Sequence, residues 1–230
     1  DTETLYKALT KDTILVSLMY VNNETGAINP IEEVSAYVHE HSRAVVHVDC
    51  VQALGKLKLP LSMLDMATFS AHKIYGLKGS AFFYKKRNIK LLPLINGGQQ
   101  EQGIRGGTSN TPANIVLAKT LRLALENQDE HYAYVKKLHA QLCTELSTLN
   151  DVHINSNEQC IPHIVNVSFL NVGSEIMLNA LDERGFCVSA QSTCSSRSRA
   201  YSHVLAEMGL GDHIATHAIR ISLSHMTTSE

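Results

Sequence analysis

No apolar run in these 230 residues approaches the roughly 20 needed to cross a bilayer as a helix, which excludes a membrane-spanning helix. The opening DTETLYKALT is polar and acidic and shows no signal-peptide pattern. Neither sign of charge dominates. The formal net charge is -2, so there is no general electrostatic case for direct nucleic-acid binding. Cysteine is scarce and irregularly placed. Cys50, Cys143, Cys160, Cys187 and Cys194 form no CxxC pair and no zinc ribbon, and their number is odd. A reduced, cytoplasmic setting is expected, in which a thiol is either a small buried hydrophobe or a reactive group. Repeats and low-complexity tracts are also missing.

What is present is the composition of a globular protein, 44% hydrophobic and 18% charged, long enough for one large or two modest domains. DTILVSLMYV (12–21) reads as a buried strand, and AVVHVD (44–49), MATFSA (66–71) and AFFYKK (81–86) read as three more. Between the first two, IEEVSAYVHEHS places Ile31, Val34, Tyr37 and Val38 at helical spacing. This alternation predicts an α/β layer with much parallel sheet. The stretch NGGQQEQGIRGGTSN (96–110) is too polar for a core and too rich in glycine for a helix. A long helix follows, with Thr111 as N-cap and Pro112 at the first helical position, and a second runs from about Glu130 to Leu149. The remainder reads strand, helix, strand, helix, strand: a small α+β unit with an antiparallel sheet. The domain boundary is expected near residue 129, giving domains 1–129 and 130–230.

The candidate chemistry lies at strand ends, where open α/β sheets form their sites. Lys73 follows one strand in FSAHKIYGLKG, Asp49 ends another in HVDCVQALGK, and Asn23 lies just past a third. Ser70, His72 and Gln52 are close by in sequence. A lysine amine forms a Schiff base with an aldehyde. A carboxylate holds a pyridinium nitrogen protonated, the usual partner in a pyridoxal phosphate site. Hydroxyls, an imidazole and the backbone N–H groups of GIRGGTSN suit a phosphate. Taken singly, strand-end Asp and Asn are ordinary turn formers and a lysine is ordinary surface charge. His213 and His217 stand four apart, but no third ligand accompanies them, so no metal is expected. His47, inside a strand, reads as a satisfied core histidine. Cys50, Cys143 and Cys187 lie in or beside apolar patterns and read as structural thiols.

In combination, VNNETGAINPIEEV, HVDCVQALGK, FSAHKIYGLKG, GGQQEQGIRGGTSN and HAIRISLSHMTT resemble the consecutive motifs of cysteine desulfurases, pyridoxal-phosphate enzymes of the class V aminotransferase group. The resemblance runs through nearly the whole chain. It implies a fold-type I α/β architecture: a partial large domain plus a small α+β C-terminal domain. It implies pyridoxal 5'-phosphate as cofactor, with Lys73 bound to it and later moving protons. Asp49 matches the partner of the ring nitrogen, and Gln52 and Asn23 match groups near the phenolic oxygen and the substrate. Ser70 and His72 match phosphate ligands. Thr108 matches a threonine that reaches the other subunit's cofactor, which implies a homodimer. Arg220 matches the arginine that clamps the substrate carboxylate, a task suited to a planar guanidinium.

Cys194, among small polar residues in VSAQSTCSSRSRAYSHVL and close to Arg197 and Arg199, matches the desulfurase nucleophile. The activity implied is removal of sulfur from L-cysteine to give L-alanine and a persulfide on Cys194. That sulfur would serve an iron–sulfur scaffold or a tRNA-thiolation partner. The alternatives are a selenocysteine lyase, another class V aminotransferase, or a truncated, non-catalytic dimerising fragment. The last is raised by what the motifs lack. The family's segment with a ring-stacking histidine and a Gly-Thr phosphate loop has no counterpart, nor does its final helix, so the chain reads as a fragment. Gln191 and Ser224 stand where the family commonly has glycine.

Overall fold

The computed structural model describes residues 1–190 and 202–229. The chain divides into two compact units, the first made of Asp1–Tyr20 with Pro30–Gln128, the second of Val21–Asn29 with Asp129–Glu230.

In the first unit, α1 (Thr2–Ala8) starts where the Asp1 carboxylate accepts from the Thr4 N–H at 2.7 Å. The β-branched and aromatic runs then form β1 (Leu15–Met19), β2 (Val45–Asp49), β3 (Met66–Ser70) and β4 (Ala81–Lys85), in that order across one sheet. β1, β2 and β3 are parallel, whereas β4 returns antiparallel to β3. The expected parallel character therefore holds for three of the four strands. The helix predicted from Ile31, Val34, Tyr37 and Val38 is α2 (Ile31–His41), in which Tyr37 is half-buried and the other three face the core. Those three side chains are buried and the helix packs on β2. Val46, Val48, Ala67 and Phe69 complete this core.

β1 departs from the expected buried strand. It is an edge strand of this sheet, its burial alternates, and Leu15 is 48% exposed. A carboxylate ties several elements together just before β3. Asp65 accepts from the Val46 N–H at 2.9 Å, from His39 Nε2 at 2.8 Å and from Lys86 Nζ at 3.0 Å. The last helix of this unit, α3 (Thr111–Glu126), begins one residue earlier than expected: Asn110, not Thr111, is the N-cap and accepts from the Ala113 N–H at 3.2 Å. An amide oxygen one residue upstream meets the free N–H groups of the first turn better than the Thr111 hydroxyl does.

In the second unit, α4 (Gln128–Leu146) precedes an antiparallel sheet of order β5-β6-β8-β7, formed by β5 (Val152–Ile154), β6 (Ile164–Phe169), β7 (Ser189–Ala190) and β8 (Ala218–Ser222). Its helices are α5 (Ser174–Asp182), α6 (His203–Glu207) and α7 (Asp212–Thr216). β5 and α7 were not anticipated, and the strand expected in FCVSA is only two residues long. Alternation gives this sheet two unlike faces. Val165, Val167 and Ile219 form an apolar core with Leu142, Leu146 and Met177 from α4 and α5. Asn166, Ser168 and Arg220 belong to the other register. Cys187 is exposed, not packed as expected of a structural thiol.

Val21–Asn29 groups with this second unit rather than with the first domain, where the sequence reading puts it. Long-range hydrogen bonds explain the assignment: Ile161 N–H donates to Gly26 O at 2.8 Å, and Ser156 Oγ donates to Thr25 O at 2.7 Å. Gly26 permits this. Its φ is +79°, and a Cβ there would meet Ile164 Cβ at 3.1 Å.

Candidate active site

The first unit's candidate residues gather where β2 and β3 end. The parallel register sets Asp49 beside Thr68, two residues before the last residue of β3, Ser70. The Asp49 carboxylate accepts from the Val51 N–H at 2.9 Å, a local turn contact that leaves it exposed. Gln52, half-buried on the turn that follows, accepts from Lys56 Nζ at 3.0 Å. The chain leaves β3 as a short 3₁₀ turn, Ala71–Ile74. Ala71 and Ile74 are buried beneath it, His72 is exposed, and Lys73 is half-buried.

That turn is closed by an unusual backbone. Tyr75 adopts φ +66°, and the Gly76 N–H donates to Ala71 O at 2.8 Å. A Cβ on Gly76 would lie 2.8 Å from Ala71 Cβ, so only glycine allows so close a return. The bend ends the turn just after Lys73 and so sets where its amine leaves the backbone. Ser70 and the exposed Thr108 line one cavity of this unit, with Thr68, Arg105, Asn110 and Arg87 also in its wall.

Cys50, next to Asp49, is fully buried, and burial together with the adjacent carboxylate pushes its thiol up to about 12. It is a packing residue, as expected. His47 is half-buried, its Nδ1 2.8 Å from Ser17 Oγ, and burial lowers its pKa.

The second unit holds Arg220 and Asn23. Arg220 sits on the central strand β8, directly opposite Asn166 on one side and Ser189 on the other. Its Nη1 donates to Asn23 O at 3.0 Å, and its Nη2 donates to Ser189 Oγ at 3.1 Å. These two contacts fix the plane of the guanidinium. Asn23 thus meets Arg220 through its backbone, a link between residues 197 positions apart. Ser189 is a partner that the sequence reading missed. A two-residue strand carries no periodicity from which to find it.

Beside this row lies a buried polar network. Asn155 Nδ2 donates to Asn166 Oδ1 at 2.7 Å and to Ser168 Oγ at 2.8 Å, while Asn166 Nδ2 donates to Glu24 O at 3.1 Å. His213 and His217 touch through their rings, and His217 Nδ1 lies 2.7 Å from His213 O. Cys194, Arg197 and Arg199 lie outside the described residues.

The profile of the class-V aminotransferase family matches residues 1–230. The chain belongs to that family. Cysteine desulfurase IscS of Buchnera aphidicola subsp. Baizongia pistaciae is 38% identical over 98% of the chain. A solved NifS-like protein superposes with a TM-score of 0.91 at 38% identity over 99% of the chain. The structure of SspA in complex with cysteine gives 0.80 at 30% identity over 99%. The chain spans 56% of the IscS length, 60% of the NifS-like chain and 64% of the SspA chain. The fold-type I α/β architecture expected of a class V aminotransferase is therefore the one present.

Proposed function

We propose that this class V chain serves a cysteine desulfurase, taking sulfur from L-cysteine and leaving L-alanine. The observation that carries the reading is the half-buried Lys73, held on a tight turn after β3, whose neighbour β2 ends in the exposed Asp49. The donors suit pyridoxal 5'-phosphate: an amine for its aldehyde, a carboxylate for its ring nitrogen, and the Ser70 hydroxyl, which lines a cavity of this unit, for its phosphate. When bound, the cofactor supplies an electron sink for bonds broken at the substrate.

Each residue then has a task. Asp49 keeps the ring nitrogen protonated. Ser70 and His72 hold the phosphate, and Thr108 holds that of the partner's cofactor in a homodimer. Gln52 and Asn23 face the phenolic oxygen and the substrate. Arg220, oriented by Asn23 O and Ser189 Oγ, receives the substrate carboxylate. Lys73 removes and returns protons at the substrate carbons. The Cys194 thiolate attacks the substrate sulfur: an S–S bond forms, the C–S bond breaks, and its electron pair stays with carbon, which takes a proton to give alanine. The persulfide passes to an acceptor protein, an iron–sulfur scaffold or a tRNA-thiolation enzyme, in the cytoplasm. The similarity to proteins named cysteine desulfurase, and to one solved with cysteine, supports this reading.

The test is sulfide and alanine release from L-cysteine by the protein supplied with pyridoxal phosphate. Cys194→Ala is expected to keep the visible absorbance of bound cofactor and to lose sulfide release. Undiminished sulfide release from that variant overturns the proposal. Selenide release from selenocysteine without sulfide release from cysteine points instead to the lyase.

A further inference from the structure

Glu24 is a buried carboxylate that the mechanism above does not use. It is 6% exposed and lies in the same loop as Asn23. The loop is built for rigidity. Asn22 Oδ1 accepts from the N–H groups of Glu24 and Thr25, each at 2.9 Å. Asn166 Nδ2 donates to Glu24 O, Ser156 Oγ to Thr25 O, and Arg220 Nη1 to Asn23 O. Its backbone therefore has fixed partners on β6, on β8 and just after β5.

The Glu24 side chain extends from this platform to Ser202, which is fully buried. Ser202 Oγ donates to Glu24 Oε2 across 178 residues of sequence. The same Oγ accepts from the Leu205 N–H at 3.1 Å and so caps α6. One hydroxyl thus serves two bonds in compatible senses, its proton given to the carboxylate and a lone pair offered to the helix. A buried hydrogen bond of this kind is costly to leave half made. Ser202 is also where residues 191–201, with Cys194 among them, rejoin the described chain.

We infer that Glu24 is a positioning residue for sulfur transfer: through Ser202 it anchors the downstream root of the Cys194 segment to the loop that orients Arg220. The inference rests on the desulfurase reading for its functional consequence, but the anchor itself does not. The carboxylate touches neither substrate nor cofactor in this role. It fixes a point eight positions after Cys194. Either an ionised carboxylate or a neutral amide oxygen accepts the Ser202 proton, so hydrogen-bond acceptance, not charge, is what matters.

Two measurements test this on the full chain. The first is steady-state sulfide release with cofactor present. Glu24→Ala, and Glu24→Met, which keeps the volume without an acceptor, should lower kcat about tenfold with KM for L-cysteine within about twofold. Glu24→Gln should restore both to within about twofold of the parent. A loss of kcat in Glu24→Gln equal to that in Glu24→Met overturns the positioning role. The second needs no activity: trypsin cleavage after Arg197 and Arg199, followed by mass spectrometry. Cleavage there should quicken in Glu24→Ala and Glu24→Met, relative to sites elsewhere in the chain, and not in Glu24→Gln. Unchanged cleavage in both acceptor-free variants overturns the anchor. If the parent releases no sulfide, the desulfurase reading fails and the cleavage arm still decides whether Glu24 holds the segment.

Discussion

The two sheets deliver polar chemistry in different ways. The first places it where strands stop: Asp49 and Ser70 are the last residues of β2 and β3, and Lys73 rides the turn beyond. The second places it on a sheet face, where Asn166, Arg220 and Ser189 stand in one row across three strands. Groups at strand ends keep water as a partner, so their removal leaves little behind that needs replacing. Groups on the second face bond to one another and to carbonyls of the 21–29 loop, and each loss leaves a partner without its bond. Function and stability should therefore separate in the first unit and travel together in the second.

The sharpest separation is expected at Lys73. Lys73→Ala should reduce desulfuration at least about 10³-fold while shifting the melting temperature by no more than about 2 °C. A variant that melts much earlier would show that the turn depends on the lysine, and the contrast between the sheets would weaken. On the other side, Asn166→Leu should cost about 3 kcal/mol, because the Asn155 amide and the Glu24 carbonyl both lose a buried partner. Urea unfolding midpoints measure it. A cost below about 0.5 kcal/mol would mean that the polar face is not the tightly satisfied network described.

Asp65 is the first unit's exception, a buried charge that works for stability and not for chemistry. Burial raises the carboxyl, but the Val46 N–H and the His39 and Lys86 partners outweigh it and hold its pKa below the usual value. A depressed folded-state pKa stabilises at neutral pH, and that contribution disappears as pH falls below about 4 through the folded value. Thermal melts from pH 7 downward should show this loss, and Asp65→Asn should flatten that part of the profile. The smallest effect concerns thiols. With its pKa at about 12, Cys50 should resist alkylation at pH 8 in the folded protein, whereas the exposed Cys187 should react readily. Peptide mapping distinguishes them, and early labelling of Cys50 would show that the strand-end core opens easily.

Much of the first unit was readable in the sequence because its signals are local. Apolar runs marked β2 and β3, the 3.6-residue pattern of Ile31, Val34 and Val38 marked α2, and motif order placed Asp49, Ser70, His72 and Lys73 on consecutive strand ends. The second unit resisted. β5 has three residues and β7 two, too few for a period to show, and Ser189 was passed over with them. Edge position was equally invisible. ILVSLM looks like a core strand, yet Ile14 is 81% exposed, because strand order in the sheet, not residue type, decides what covers it.

The sequence by itself determined which residue types stand at which strand ends and which family motifs they compose, since turns, caps and periodicity act over a few residues. Only the tertiary structure decided that Val21–Asn29 joins the second unit, that Ser189 faces Arg220, and that Glu24 meets Ser202. Those outcomes depend on strand register and on hydrogen bonds closed between distant segments. A buried polar group takes whatever partner the fold brings within reach, and its neighbours in sequence carry no record of which partner that is.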